Sequence, residues 1–87
     1  MKLPESLKLI TDTLWRIKNK KDIEWVVEDL LTPAEIVDLA DRIRILKMLS
    51  DGRSQRDIAE ELGISVTTVS RGNRVLQYER KSIHKYI

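Results

Sequence analysis

Amides, hydroxyls and guanidinium groups carry the chemistry of this chain, because the other reactive side chains are almost missing. There are no cysteines and a single histidine, His84. That leaves no thiol nucleophile, no disulfide framework and no cysteine zinc site, and one imidazole cannot build a metal cluster. No paired carboxylates stand in a frame that supplies an acid and a base, so the composition speaks against an enzyme. The hydrogen-bonding residues instead gather between 54 and 77: Gln55 and Arg56, then Ser65, Val66, Thr67 and Thr68, then Ser70, Arg74 and Gln77. These types suit double-stranded DNA. Arg56 matches a guanine edge, and Val66 and the Thr67 methyl match thymine methyls, while Ser70, Arg74 and Gln77 suit phosphates. Charge distribution agrees, since residues 53–87 carry seven Lys and Arg against four acids, whereas residues 1–52 carry nine against ten. From Arg71 onward five bases stand against one acid, consistent with phosphate contact.

The element that must position these residues is the stretch SQRDIAEELGISVTTVSRGNRVL, Ser54–Leu76. Ser54 is a good N-cap with Asp57 in the first turn, and Ile58, Ala59 and Leu62 follow at helical spacing. Gly63 falls where a helix end needs a left-handed residue, and Ser65 caps a second helix directly afterward. The pattern is a helix-turn-helix, with Ala59 small enough to admit the second helix and Ile64 and Val69 sealing the corner. The second helix opens on Val66-Thr67-Thr68-Val69-Ser70, a run of poor helix formers that needs a docking surface to hold its shape. Gly72 weakens it by about 1 kcal/mol relative to alanine, yet falls where an apolar residue normally packs back onto the preceding helix. Close backbone packing is the ordinary reason for such a glycine; a gap that admits a ligand is the other.

At 87 residues a single domain over 1–87 is expected, of a size at which a second copy commonly completes the core. Leu3, Leu7, Ile10, Leu14 and Ile17 mark an amphipathic first helix, with Pro4 at its start, Asn19 near its end and Trp15 at the edge of its stripe. Ordinary core and a dimer seam both account for that stripe. Asp22 is expected to cap a second helix that carries Ile23, Val26, Val27, Leu30 and Leu31, apolar over much of its circumference and therefore in need of cover on two sides. Thr32, Pro33 and Glu35 open a third helix to about Ser50, roughly 27 Å long at about 1.5 Å per residue. Its apolar face is read as Ile36, Leu39, Ala40, Ile43, Leu46 and Leu49 or Met48. Residues 78–87 are expected to form a short final helix. No strand pattern appears and no apolar run reaches the roughly 18 residues of a membrane span. The reading is an all-α domain of about six helices in the cytoplasm: dimerisation helices in 1–31, a long central helix in 33–51, the helix-turn-helix in 54–76 and the final helix in 78–87.

Residues 31–76, LTPAEIVDLADRIRILKMLSDGRSQRDIAEELGISVTTVSRGNRVL, resemble the Trp repressor superfamily. The resemblance is carried by Leu-Thr-Pro before the long helix, Arg-x-Arg-Ile within it, Ser-Gln-Arg opening the motif and Thr-Val-Ser-Arg-Gly in the recognition helix. It implies an intertwined homodimer that regulates transcription, as a repressor, with reading heads about 34 Å apart on DNA. It also implies L-tryptophan as a corepressor, held between the positions of Arg42 and Arg71, with Thr32 receiving the amino group, Gly72 beside the ring, and Leu31, Ile45 and Val75 completing the site. A guanidinium plane stacks on an aromatic ring and can hold a carboxylate, so the residue types suit such a ligand. Two positions depart from the pattern: Val75 stands where tryptophan-binding members carry a serine, and Asp29 where an apolar residue lines the pocket. Losing one hydrogen bond to a charged amine costs roughly 1.5–3 kcal/mol. The expectation is therefore a pocket that persists for a flat or anionic molecule and binds L-tryptophan weakly or not at all. The competing function is a protein-interaction module that uses the helix-turn-helix as scaffold, with Val66 at its tip; salt dependence of binding separates the two.

Overall fold

The fold, taken from a computed structural model that describes residues 1–78 and 82–87, is all-helical. The elements are α1 (Leu3–Trp15), α2 (Lys20–Leu30), α3 (Pro33–Ser50), α4 (Gln55–Leu62), α5 (Val66–Tyr78) and a 3-10 turn (Ser82–Lys85), with no strand among the described residues. The chain divides into two compact units, residues 1–36 and 37–87, with α3 beginning in the first and continuing in the second.

In the first unit, Pro4 sits in the opening turn of α1, and the Ser6 hydroxyl donates to the Lys2 carbonyl at 3.0 Å. The helix stops at Trp15, short of the expected end near Asn19. Asn19 instead starts α2: its side-chain oxygen accepts the Asp22 amide at 2.9 Å, and its amide nitrogen donates to the Asp22 carboxylate at 3.0 Å. Asn19, not Asp22, is therefore the cap. Both residue types cap well, and the acid three positions on serves as the reciprocal partner. Thr32 and Glu35 form a second reciprocal box at the start of α3. The Thr32 amide donates to Glu35 Oε1 at 2.9 Å, and the Glu35 amide donates to Thr32 Oγ1 at 3.2 Å. Hydrogen bonding by Thr32 holds the Glu35 carboxyl below the usual glutamate range, the Thr32 backbone amide acting most strongly and the Thr32 side chain next. No residue of α1 or α2 is buried. Leu3, Leu7, Ile10 and Leu14 all lie exposed, and Trp15 is 89% and Trp25 54% exposed. The apolar stripe of α1 is thus exposed rather than buried.

The second unit contains the core: Ile45 from α3, Ile58 and Ala59 from α4 and Val69 from α5, with Met48, Leu49, Leu62 and Ile64 packed around them. Full burial of a branched aliphatic side chain contributes about 1.5–3 kcal/mol, and this is what holds the β-branched start of α5 in a helix against its own preference. The buried side of α3 is centred on Ile45, whereas Leu39 and Ile43 from the expected face are exposed. The helix is apolar on most sides, so its periodicity does not select a face; the docking of α5 does. The expected helix over 78–87 falls partly on residues 79–81, outside the described residues; Tyr78 ends α5, and Ser82–Lys85 make a single 3-10 turn in place of an α-helix.

Candidate nucleic-acid interface and adjoining cavity

The frame of the interface is set by three caps in sequence. The Asp57 amide donates to Ser54 Oγ at 3.1 Å, starting α4. Gly63, at φ 68° in the left-handed region, ends it, and the Ile64 amide turns back to the Ala59 carbonyl at 3.0 Å. The Thr68 amide then donates to Ser65 Oγ at 3.1 Å, starting α5. Between caps, Ala59 is small where α5 approaches, and Ile58 and Val69 are fully buried at the contact. Arg53, just before α4, pairs with Glu61 across its outer face.

The nine residues expected to meet DNA divide into two groups. Arg56, Val66, Thr67, Arg74 and Gln77 are exposed, and among the described residues neither arginine makes an ion pair. The remaining four are hydrogen-bonded to one another. Ser65 Oγ lies 2.8 Å from Thr68 Oγ1 in addition to receiving the Thr68 amide. The Ser70 hydroxyl donates to Gln55 Oε1 at 2.6 Å, joining α5 to α4. The face is thus a set of exposed side chains, without hydrogen-bond partners among the described residues, beside a hydrogen-bonded frame, a combination suited to base edges and phosphates.

Beside the motif lies a cavity of about 360 Å³ lined by Arg42, Ile45, Leu46, Thr68, Arg71, Gly72 and Val75. Its volume is that of a small-ligand site, its walls are mainly aliphatic, and its charge comes from two guanidinium groups without an ion-pair partner among the described residues. It brings together Arg42, Ile45, Arg71, Gly72 and Val75 from the expected set. Leu46 and Thr68 join them unforeseen, although the helical spacing of 42 to 46 and of 68 to 72 and 75 carried that signal. Leu31 and Thr32 belong to the first unit, as does Asp29, which lines an open depression there with Arg16, Lys18 and Trp25. Gly72 packs closely: a Cβ at this position would stand 2.6 Å from Ile45 Cγ2. The close-packing reading of the glycine therefore holds against α3, and the same residue lines the cavity. Among the described residues no group of side chains could hold a metal ion.

Comparison with known proteins adds to this geometry. The chain matches the family described as Trp repressor protein over residues 5–87. It is 32% identical over 90 residues to a Trp operon repressor homolog of Xylella fastidiosa, covering 95% of this chain and 98% of that one. It is 36% identical over 72 residues to a Trp operon repressor homolog of Photobacterium profundum, covering 82% of this chain and 68% of that one. It is also 31% identical over 74 residues to an uncharacterized protein, YerC, of Bacillus subtilis, covering 85% of this chain and 71% of that one.

Proposed function

The chain belongs to the Trp repressor family, whose members are DNA-binding regulators rather than enzymes, and on that premise we propose that it acts as a homodimeric repressor. The observation that carries this reading is the capped α4–turn–α5 frame with Arg56, Val66, Thr67, Arg74 and Gln77 free on its outer side. In this reading α5 enters the major groove, Arg56 takes a guanine edge, Val66 and Thr67 take thymine methyls, and Arg74 and Gln77 take phosphates. Gln55 adds a further phosphate contact, and Ser65, Thr68 and Ser70 belong to the hydrogen-bonded frame beneath. The exposed apolar residues of α1 and α2 support the dimer. Leu3, Leu7, Ile10, Leu14 and Trp25 need cover, and a second copy of residues 1–31 presents a matching face. No helix among the described residues is long and apolar enough to cross a membrane, in keeping with a regulator that works on cytoplasmic DNA.

The cavity beside Gly72 is the effector site in this account. Some members of the family take tryptophan as corepressor. Here the two guanidinium groups and aliphatic walls favour a flat, anionic molecule, and Val75 offers nothing to an ammonium group, so L-tryptophan binds weakly or not at all. The test of the DNA reading is the salt dependence of binding to a duplex selected from a random pool. Affinity should fall linearly in logarithmic terms, by about 0.9 per phosphate neutralised. Affinity indifferent to salt would favour the competing reading, an apolar protein contact through Val66. Sedimentation at micromolar concentration should show twice the monomer mass, and a stable folded monomer would contradict the dimer.

A further inference from the structure

Ser70 and Gln55 lie on different helices of the motif, 15 positions apart, yet their side chains meet at 2.6 Å in a part-buried contact. Theirs is the only side-chain hydrogen bond joining α4 to α5 among the described residues. A serine hydroxyl has one proton, and here it goes to Gln55 Oε1. Ser70 then has no proton left for a phosphate oxygen, which is itself an acceptor. The consequence for Gln55 is the opposite. Its carbonyl is occupied, so the group it can turn outward is the amide nitrogen with two protons, a donor only. Without the serine the amide could rotate and present its oxygen, which a phosphate would repel.

We propose that Ser70 is a positioning residue and not itself a DNA contact: it locks the Gln55 amide in the orientation that donates to the phosphate backbone. This rests on the reading that the α4–α5 face meets DNA. It separates two side chains that composition alone places in one class, and it makes the α4–α5 packing and the polarity of one DNA contact a single device. Gln55 stands at the first residue of α4, and Ser70 lies next to buried Val69, so the frame that holds the serine is also the frame of the core.

A double-mutant cycle on a duplex selected by the wild-type protein tests this. Ser70→Ala should weaken binding about three- to tenfold, the range for one neutral hydrogen bond, and should cause no further loss in a Gln55→Ala background. Ser70→Cys fills nearly the same volume but donates poorly, and should match Ser70→Ala, which keeps the test valid if alanine unsettles the fold. In the free protein, the nitrogen–proton NMR signals of the Gln55 side-chain amide should stand away from those of a free glutamine and return to them in Ser70→Ala. Equal losses on both backgrounds would mean that Ser70 touches DNA directly and would overturn the assignment. So would unchanged affinity after the amide signal has collapsed. If the wild-type protein enriches no duplex at all, the DNA reading fails and takes this inference with it, whereas enrichment with additive losses refutes this inference alone.

Discussion

Replacing Gly72 with alanine sets two opposing effects against each other, and the structure says which wins. Removing a glycine from a helix interior stabilises it by about 1 kcal/mol. The new Cβ, however, would stand 2.6 Å from Ile45 Cγ2 and 3.5 Å from Leu49 Cδ1. Ile45 is 2% exposed, and its β-branch restricts rotation about χ1, so the offending methyl cannot swing aside. Forcing an extra carbon into such a contact costs about 1–3 kcal/mol. The net effect is a loss of about 1 kcal/mol, or a fall in melting temperature of about 4–8 °C for a chain of this size. Ile45→Leu provides the control, because it moves the branch one carbon outward and deletes Cγ2, at a cost of less than about 1.5 kcal/mol by itself. In that background Gly72→Ala should become neutral or stabilising by up to about 1 kcal/mol. The assay is urea unfolding of all four proteins at one fixed protein concentration, since a dimer's apparent stability depends on concentration. If Gly72→Ala stabilised the otherwise unaltered protein by about 1 kcal/mol, α5 would have open space at this point, and the close approach to α3 would be refuted.

Other expectations follow from the same geometry. Arg56→Ala should relax sequence preference, whereas Arg74→Ala should weaken binding evenly across sequences and lower the salt slope by about 1; a reversal of the two outcomes in a selection experiment would invert their roles. For Glu35, hydrogen-bonded to Thr32, the folded carboxyl titrates below its unfolded value, so its stabilising contribution is present above the ordinary glutamate range and disappears as pH falls through the folded value. Urea midpoints followed into acid should therefore show a decline that is shallower in Glu35→Gln, and parallel curves would dismiss the capping box as its source. Millimolar L-tryptophan should leave the melting temperature unmoved, although a ligand at one hundred times its dissociation constant adds about 2.7 kcal/mol; a shift abolished by Arg71→Ala would show that tryptophan does occupy the cavity.

The parts of this fold that were legible in the sequence are those decided within a few residues. Ser54, Gly63 and Ser65 punctuate the motif as their side chains require, and Thr32 with Glu35 opens α3. Where two nearby residues can do the same job, local reading fails: Asn19 and Asp22 both cap well, and the structure chose the earlier one. The face of α3 was illegible for a different reason. Ile36, Leu39, Ile43, Ile45, Leu46, Met48 and Leu49 surround much of the helix, so only the position of α5 singles out Ile45. The link between Gln55 and Ser70 depends on how two helices cross, and nothing in residue type distinguishes these side chains from their free neighbours. The arginines of the cavity were visible through family resemblance, whereas Leu46 and Thr68 emerge from helical spacing once Arg42 and Gly72 are placed on neighbouring walls.

If two copies of α5 read DNA together, the sequences recovered by selection from random duplexes carry the mark of that pairing. Selection should return a twofold-symmetric consensus whose half-sites lie one helical turn apart, about 10–10.5 base pairs between centres. A single asymmetric site, half-sites with no fixed spacing, or no enrichment at any salt concentration would contradict it.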